Sequence, residues 1–248
     1  MIAPPLGRPL LMRQQWRDVT FLHWAVDPAA VARYFPAGVE PDRFDGATYV
    51  GLVAFRMVGA GFGRGPAVPW AGTFLETNVR LYSVDAAGRR GVLFLSLDAD
   101  RLPVVAAARA AFGLPYRWAR MRFRRSGPVR EYTARLLRPG PAVRSRLLVR
   151  AGETELDGPL ERFLTARWGL HVAHLGRTRY LRNAHEPWPV RSARLLELDD
   201  GLLGSVGLGS LAARPPDHVA FSAGVRASFG RAGASTRRAG VRLCWSLS

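Results

Sequence analysis

Residues 73–84, TFLETNVRLYSV, are the stretch on which the reading of the fold turns. Side chains alternate across a strand, so Phe74, Glu76, Asn78, Arg80 and Tyr82 share one face. Leu75, Thr77, Val79 and Leu81 share the other. A strand with an apolar back and a polar front has two readings. Its front is a stripe facing solvent, or it lines the interior of a closed sheet, where the same side chains border a pocket. Glu76 and Arg80 stand about 13 Å apart along such a strand at about 3.3 Å per residue. That spacing suits gripping the two ends of a small molecule better than forming one tight ion pair.

Strand signals surround this stretch. Residues 47–55 and 91–97 are rich in β-branched, leucine and aromatic residues, and 92–97, apolar on both faces, reads as a central strand. A meander follows at 118–124, 130–137 and 144–150, joined by the turns Ser126-Gly127-Pro128 and Pro139-Gly140-Pro141. Shorter strands are predicted at 171–175, 178–182, 191–198 and 219–225. Three helices interrupt them. Asp27-Pro28 reads as an N-cap and first helical residue, Val31, Tyr34 and Phe35 form an apolar face, and Pro36 and Gly38 stop the helix. A second covers about residues 103–112 and ends at Gly113. The third starts at Gly158-Pro159, aligns Leu160, Phe163, Leu164 and Trp168, and stops at Gly169. The balance predicts an α+β fold that is mainly β, a closed or nearly closed barrel with a few covering helices. It is expected to form one domain over residues 1–229, with a basic, partly disordered tail over 230–248.

The chain has 248 residues and a formal net charge of +17, from 36 basic and 19 acidic residues. All the basic residues are arginine. A G+C-rich genome accounts for arginine replacing lysine but not for the excess over acid, and such a field attracts anions. With no lysine ε-amine, a lysine Schiff base with a carbonyl substrate is excluded, as is a P-loop. The lone Cys244 excludes an intrachain disulfide and fits a reducing compartment. The N-terminal stretch is a poor secretory signal, and no apolar run approaches a membrane span. A cytoplasmic protein without membrane association is the expectation.

Further candidates lie outside the central strand. Residues 108–121, ARAAFGLPYRWARM, gather Arg109, Tyr116 and Arg117 around a helix stop, where Pro115 forbids continuation. His23 and His185 lie near tryptophans, and each reads as a structural histidine or as a general acid or base. His171 and His174 form an HxxH pair on a strand or turn, facing opposite ways, with no third ligand for zinc. The run 59–65, GAGFGRG, lacks the helix that a nucleotide-binding loop requires and reads as a flexible loop. Arg120, Arg122 and Arg124 fall on one strand face, extendable by Arg144 and Arg146, which is a solvated face or a track for a phosphate backbone.

The stretch 108–121 resembles acetoacetate decarboxylases, which carry an Arg-Glu pair, then glycine, an aromatic residue, proline and two lysines. Arg109, Gly113 and Pro115 keep that spacing. Ala110 stands at the acidic position, and Tyr116 and Arg117 stand where the lysines would. The resemblance implies the same scaffold with its nucleophile removed, with Glu76 matching a pocket glutamate. A closer resemblance, over about residues 13–228, is to the YqjF-like family (domain of unknown function 2071). Its pieces are FLHW at 21–24, FDGATYVGLVAF at 44–55, ETNVRLY at 76–82, SLDAD at 96–100, GLPY at 113–116, LERFLTARW at 160–168 and HEPWP at 185–189. The implied fold is an acetoacetate decarboxylase-like β-barrel.

The function expected is non-covalent acid–base chemistry on a small carboxylate or β-keto compound, of lyase, dehydratase or cyclase type. Glu76 transfers the proton and Tyr116 donates to a developing oxyanion. Arg80, Arg109 and Arg117 bind carboxylate, with His23 and His185 also against the substrate. No cofactor and no metal are expected. The alternatives are a non-catalytic protein binding a small anion or metabolite, and a nucleic-acid-binding protein using the arginine strands. A homo-oligomer is compatible with either.

Overall fold

The computed structural model describes residues 3–7, 9–137 and 140–230. In chain order the elements are β1 (Leu10–Val26), α1 (Pro28–Val31) with a 3-10 turn (Ala32–Tyr34), β2 (Val39–Pro41), β3 (Thr48–Phe62), β4 (Phe74–Asp85) and β5 (Arg90–Ala99). Then come α2 (Leu102–Phe112), β6 (Tyr116–Ser126), β7 (Val129–Leu136), β8 (Arg144–Glu155), α3 (Pro159–Thr165), β9 (Gly169–His174) and β10 (Arg177–His185). β11 (Val190–Asp200), two 3-10 turns (Gly204–Val206 and Gly209–Ala213) and β12 (His218–Gly230) complete them.

All the strands belong to one 12-stranded sheet, in the order β10-β9-β5-β6-β7-β8-β11-β12-β1-β3-β4-β2. Two further pairings, β4 with β5 and β10 with β12, fold the sheet back on itself. The result is ring-like, with β5 and β12 as branch points. From them one arc runs through β6, β7, β8 and β11, and another through β9 and β10. The arc through β1, β3 and β4 is the wall between these two. It is therefore covered on both sides. Leu22, Trp24, Val50, Leu52, Val79 and Leu81 point from the wall into one apolar cluster with Tyr132, Leu147 and Val149. Their strand neighbours Phe21, Val53, Phe55 and Phe74 point the opposite way, packing with Leu97 and Tyr116. Tyr49 and Tyr82 join Phe163, Leu164 and Leu170 on that same second side. A strand buried on both faces reads as near-continuous apolar sequence, which is what 48–55, TYVGLVAF, is.

The helix termini follow their punctuation. The Asp27 side chain accepts from the Ala29 N–H, with Pro28 at the first position. Gly113 caps α2 at φ 68°, where a side chain would be strained. α3 is shorter than its apolar stripe predicts. It stops at Thr165, because Arg167 turns back to donate to the Phe163 carbonyl (2.7 Å) and to pair with Asp42.

Three expectations need correction. β1 is absent from the predicted strands, yet it is the longest element. Its register slips between Arg13 and Gln15 and between Arg17 and Thr20, and Asp18 sits at φ 48°. These bulges break the alternation that would mark a strand. The glycine run 59–65 is not a free loop. β3 continues to Phe62, and a Cβ on Gly61 would lie 2.4 Å from the Pro66 carbonyl oxygen, so the glycine permits a close backbone approach. The Arg13 guanidinium then ties down the turn by donating to the carbonyls of Gly63 (3.1 Å) and Arg64 (2.8 Å). Gly230 closes β12 rather than opening a tail; residues 231–248 lie outside the described residues, as does Pro139 of the expected turn.

Candidate functional site

The polar face of β4 looks inward. Glu76 is 3% exposed, Asn78 2% and Tyr82 0%, which rules out the solvent-stripe reading. Strand alternation puts Glu76, Asn78, Arg80 and Tyr82 in the compartment of the second side, against Phe21 and Tyr116.

Glu76 and Tyr116 meet. The Tyr116 hydroxyl donates to Glu76 Oε2 at 2.7 Å, and the Asn78 side-chain amide donates to Oε1 at 3.2 Å. Burial pushes the Glu76 carboxyl up to about 7, against the pull of those two hydrogen bonds and of the Arg80 charge. A carboxyl poised there exchanges protons near neutral pH. Burial likewise raises the Tyr116 hydroxyl well above its ordinary value, and the Glu76 charge adds to this.

Arg80 is half-buried, and no carboxylate among the described residues pairs with it. Its guanidinium lies 5.8 Å from the Phe21 ring centre, and its Nε has no hydrogen-bond partner. Asn78 Oδ1 is also unpartnered. The protein thus leaves one buried donor and one buried acceptor unsatisfied on the same strand face, beside a protonatable carboxyl. Buried orphans of this kind are rare in folded proteins.

His23 and Tyr82 extend the polar face. His23 Nε2 lies 2.7 Å from the Tyr82 hydroxyl, and its Nδ1 lies 3.0 Å from His218 Nδ1. His218 Nε2 in turn lies 3.4 Å from Glu161 Oε1. Burial holds His23 well below its ordinary value, and the charges of His218 and Arg80 add to this, so the ring is neutral. The His218 Nε2–Glu161 contact is not aligned as a hydrogen bond, but a carboxylate there favours the His218 tautomer with its proton on Nε2. In that tautomer His23 holds its proton on Nδ1, facing His218 Nδ1, and Tyr82 donates to His23 Nε2. His185 is buried among Trp16, Trp168 and Trp188, with ring centres 5.8, 4.6 and 5.4 Å away. Its Nδ1 faces the Glu186 carbonyl at 2.7 Å.

Two predicted residues stand elsewhere. Arg117 follows Tyr116 on β6 and so points to the opposite face. It holds the fully buried Asp98 through Nε (2.5 Å) and Nη2 (2.8 Å) and donates to the Ser205 hydroxyl (2.8 Å). A guanidinium so committed is not free to take a ligand carboxylate. Arg109 is exposed and donates to the Tyr116 backbone carbonyl at 3.0 Å, steadying the α2–β6 turn. Residues that the sequence did not single out are Asn78's unpartnered oxygen, His218 and Glu161. Ser83, His171 and Asp85 also make a serine–histidine–aspartate line, at 2.9 and 3.4 Å. All three are buried, the serine completely, so it presents no nucleophile. Among the described residues no group of three or more His, Cys, Asp or Glu side chains could hold a metal ion. Nor is any helix there long and apolar enough to cross a membrane.

The doubly covered wall and its ring-like sheet define the acetoacetate decarboxylase-like fold class. Acetoacetate decarboxylase from Legionella pneumophila superposes with a TM-score of 0.61 at 14% identity, over 95% of this chain and 93% of that one. The enduracididine biosynthesis enzyme MppR, solved with pyruvate, superposes at 0.59 and 18% identity, over 92% and 91%. At these identities the likeness is one of fold. The model of domain of unknown function 2071, an uncharacterised conserved protein, matches residues 13–226, and the chain belongs to that family. The uncharacterised protein YqjF of Bacillus subtilis is 31% identical over 185 residues, 74% of this chain and 76% of the relative.

Proposed function

We propose that the compartment on the second side of the wall binds a small carboxylate-bearing keto compound and moves a proton on it without a covalent intermediate. The observation that carries this reading is the pairing, on one buried strand face, of an unpartnered guanidinium with a carboxyl poised near neutral pH. Arg80 takes the ligand carboxylate. Its planar fork suits bidentate pairing, and the ligand supplies the charge that the protein withholds. Glu76 transfers the proton, and Tyr116 stabilises charge developing on the keto oxygen. Asn78 Oδ1 accepts from a hydroxyl or enol. Tyr116 occupies the place where the decarboxylase resemblance would put a Schiff-base lysine, and a phenol supports hydrogen bonding there but not imine formation. MppR, a structural neighbour, has been solved with pyruvate, and a 2-keto carboxylate is the first ligand class to try. A groove of about 300 Å3 opens nearby between Tyr34, Phe94, Leu114 and His171, though none of the proposed site residues lines it. Phe94 lies opposite Arg80 on β5, and Leu114 packs beside Tyr116. The reading places the protein in the cytoplasm, acting as one domain.

The test has two arms. In a thermal-shift screen, a 2-keto or β-keto carboxylate at a hundredfold excess over Kd adds about 2.7 kcal/mol. Arg80→Met removes that stabilisation, whereas Arg117→Gln does not remove it selectively. In deuterated water the protein catalyses exchange of the ligand's acidic C–H, and Glu76→Gln slows this by about 100-fold or more, the usual scale of a general base. Binding that survives with no exchange would make the protein a metabolite-binding module. Binding unaffected by Arg80→Met would remove the site altogether.

A further inference from the structure

Beyond Tyr116, β6, β7 and β8 turn an open face to solvent. Its residues alternate with the buried Ala119, Tyr132, Ala134, Leu147 and Val149, so the pattern of that face is fixed by the core behind it. The strand register sets arginine directly against arginine. Arg120 pairs with Arg135 across β6–β7, and Arg135 pairs with Arg144 across β7–β8. In the next row Arg122 faces Thr133, and Thr133 faces Arg146. Directly opposed side chains have Cβ atoms about 5 Å apart, where like charges repel. Arg120, Arg122, Arg135 and Arg144 are exposed, and none has a carboxylate partner among the described residues. Arg146 alone is neutralised, by Glu131 and Glu197.

Codon bias explains arginine in place of lysine, but not three arginines stacked in register without an acid between them. The cost of that stacking is relieved by a polyanion lying over it. Cations recur about every 4.8 Å across the strands and about every 6.7 Å along β6, a flat lattice rather than a cup for one small ion. Beside it Trp118, on β6 and two residues before Arg120, leaves 40% of its surface open. An unstacked base can lie on that ring, whereas a duplex hides its bases and an acidic protein offers none.

We propose that the outer face of β6, β7 and β8 binds single-stranded nucleic acid. Arg120, Arg122, Arg135 and Arg144 contact phosphates, and Trp118 stacks a base. This surface continues outward along β6 from Tyr116, which lies two residues before Trp118 on the same strand face, but shares no residue with the Glu76 compartment.

The experiment is fluorescence anisotropy of the full chain with labelled oligo(dT) and oligo(rU) of about 20 nucleotides, over about 50–300 mM KCl. Affinity is expected to fall as a power of salt, at about 0.7 in the log–log slope per phosphate contact on a single strand. The triple variant Arg120→Gln, Arg135→Gln, Arg144→Gln lowers that slope by about 2 and weakens binding at least tenfold at about 100 mM salt. It melts no lower than the parent, since it removes repulsion. A charge-matched triple at exposed positions elsewhere, Arg33→Gln, Arg177→Gln, Arg226→Gln, weakens binding less than threefold. Trp118→Leu weakens it about tenfold with the slope unchanged, on the scale of one base stacked on an aromatic ring. Equal losses in the two triples would reduce the effect to net charge and overturn the proposal. So would preference for phosphatidylserine vesicles or duplex DNA over the single strand, or no binding at about 50 mM.

Discussion

The two compartments flanking the β1–β3–β4 wall are built from alternating residues of the same strands, and they obey opposite rules. On one side Leu22, Leu52, Val79 and Leu81 make a predominantly apolar core. On the other, residues one position along (His23, Asn78, Arg80, Tyr82) carry charge and hydrogen-bonding groups, and Asn78 Oδ1 and Arg80 Nε lack partners. The wall shows how one β-strand can serve stability and chemistry at once. The period of two assigns each role to a face, and covering both faces lets the chemical one be dry. Dry placement raises Glu76 into the neutral range, which the same residue on an open sheet would not reach.

The comparison can be broken first on the apolar side. Leu81→Ala, at a fully buried site, should cost about 2–5 kcal/mol in denaturant unfolding. A loss below about 1 kcal/mol would mean that this side is loosely filled and not the mainstay of the fold. On the same side, Asp98→Asn leaves Arg117 holding a partner without charge, and a drop of about 3 kcal/mol is expected.

On the chemical side the effect of Glu76→Gln depends on pH. A carboxyl raised from 4.5 to about 7 on folding holds a proton that the unfolded chain has lost. The parent's stability therefore falls as pH rises from about 4.5 to 7 and levels off above that. Relative to Glu76→Gln, the parent should lose up to about 3 kcal/mol across that window, because one pKa unit corresponds to about 1.4 kcal/mol. Parallel pH profiles for the two proteins would show Glu76 ionised throughout. Arg80→Met should have a smaller effect of opposite sign. Replacing a half-buried cation that has no paired carboxylate with an apolar chain of similar length is expected to be neutral or to stabilise by about 1 kcal/mol, while ending ligand binding. The finest probe is tautomeric. Nitrogen-15 NMR should find the His23 proton on Nδ1 and that of His218 on Nε2, and Glu161→Gln should remove the constraint that fixes them.

Much of this was legible in the sequence. Asp27-Pro28, Gly113 and Gly158-Pro159 mark helix ends because proline and glycine act through local backbone geometry, which the sequence carries with it. Glu76 and Tyr116 were each legible as candidates, through β4's polar face and the decarboxylase-like turn. Their meeting was not, because nothing local joins residues 40 apart in the chain. Whether β4's polar face looks inward was not, since that depends on β9 and β10 closing over it from about 100 residues away. Arg117 could have been set aside from the sequence: it follows Tyr116 on a strand, and adjacent side chains oppose. Its partner Asp98 lies in the SLDAD motif, but nothing local links the two. β1 was hidden because bulges at Arg17 and Asp18 shift its phase midway, and β-bulges leave little trace in hydrophobic periodicity.

The seam where β12 lies against β1 has a consequence for biosynthesis. His23 finds its partner His218 only 195 residues further along the chain. At about 5–20 residues per second, the ribosome needs roughly 10–40 s to supply it. Through that interval the long, apolar β1 has one unpaired edge, of the sort that recruits neighbouring strands. A protein built this way should depend on holding factors while it is being translated. A circular permutant that places residues 218–230 directly before residue 10 should escape that dependence.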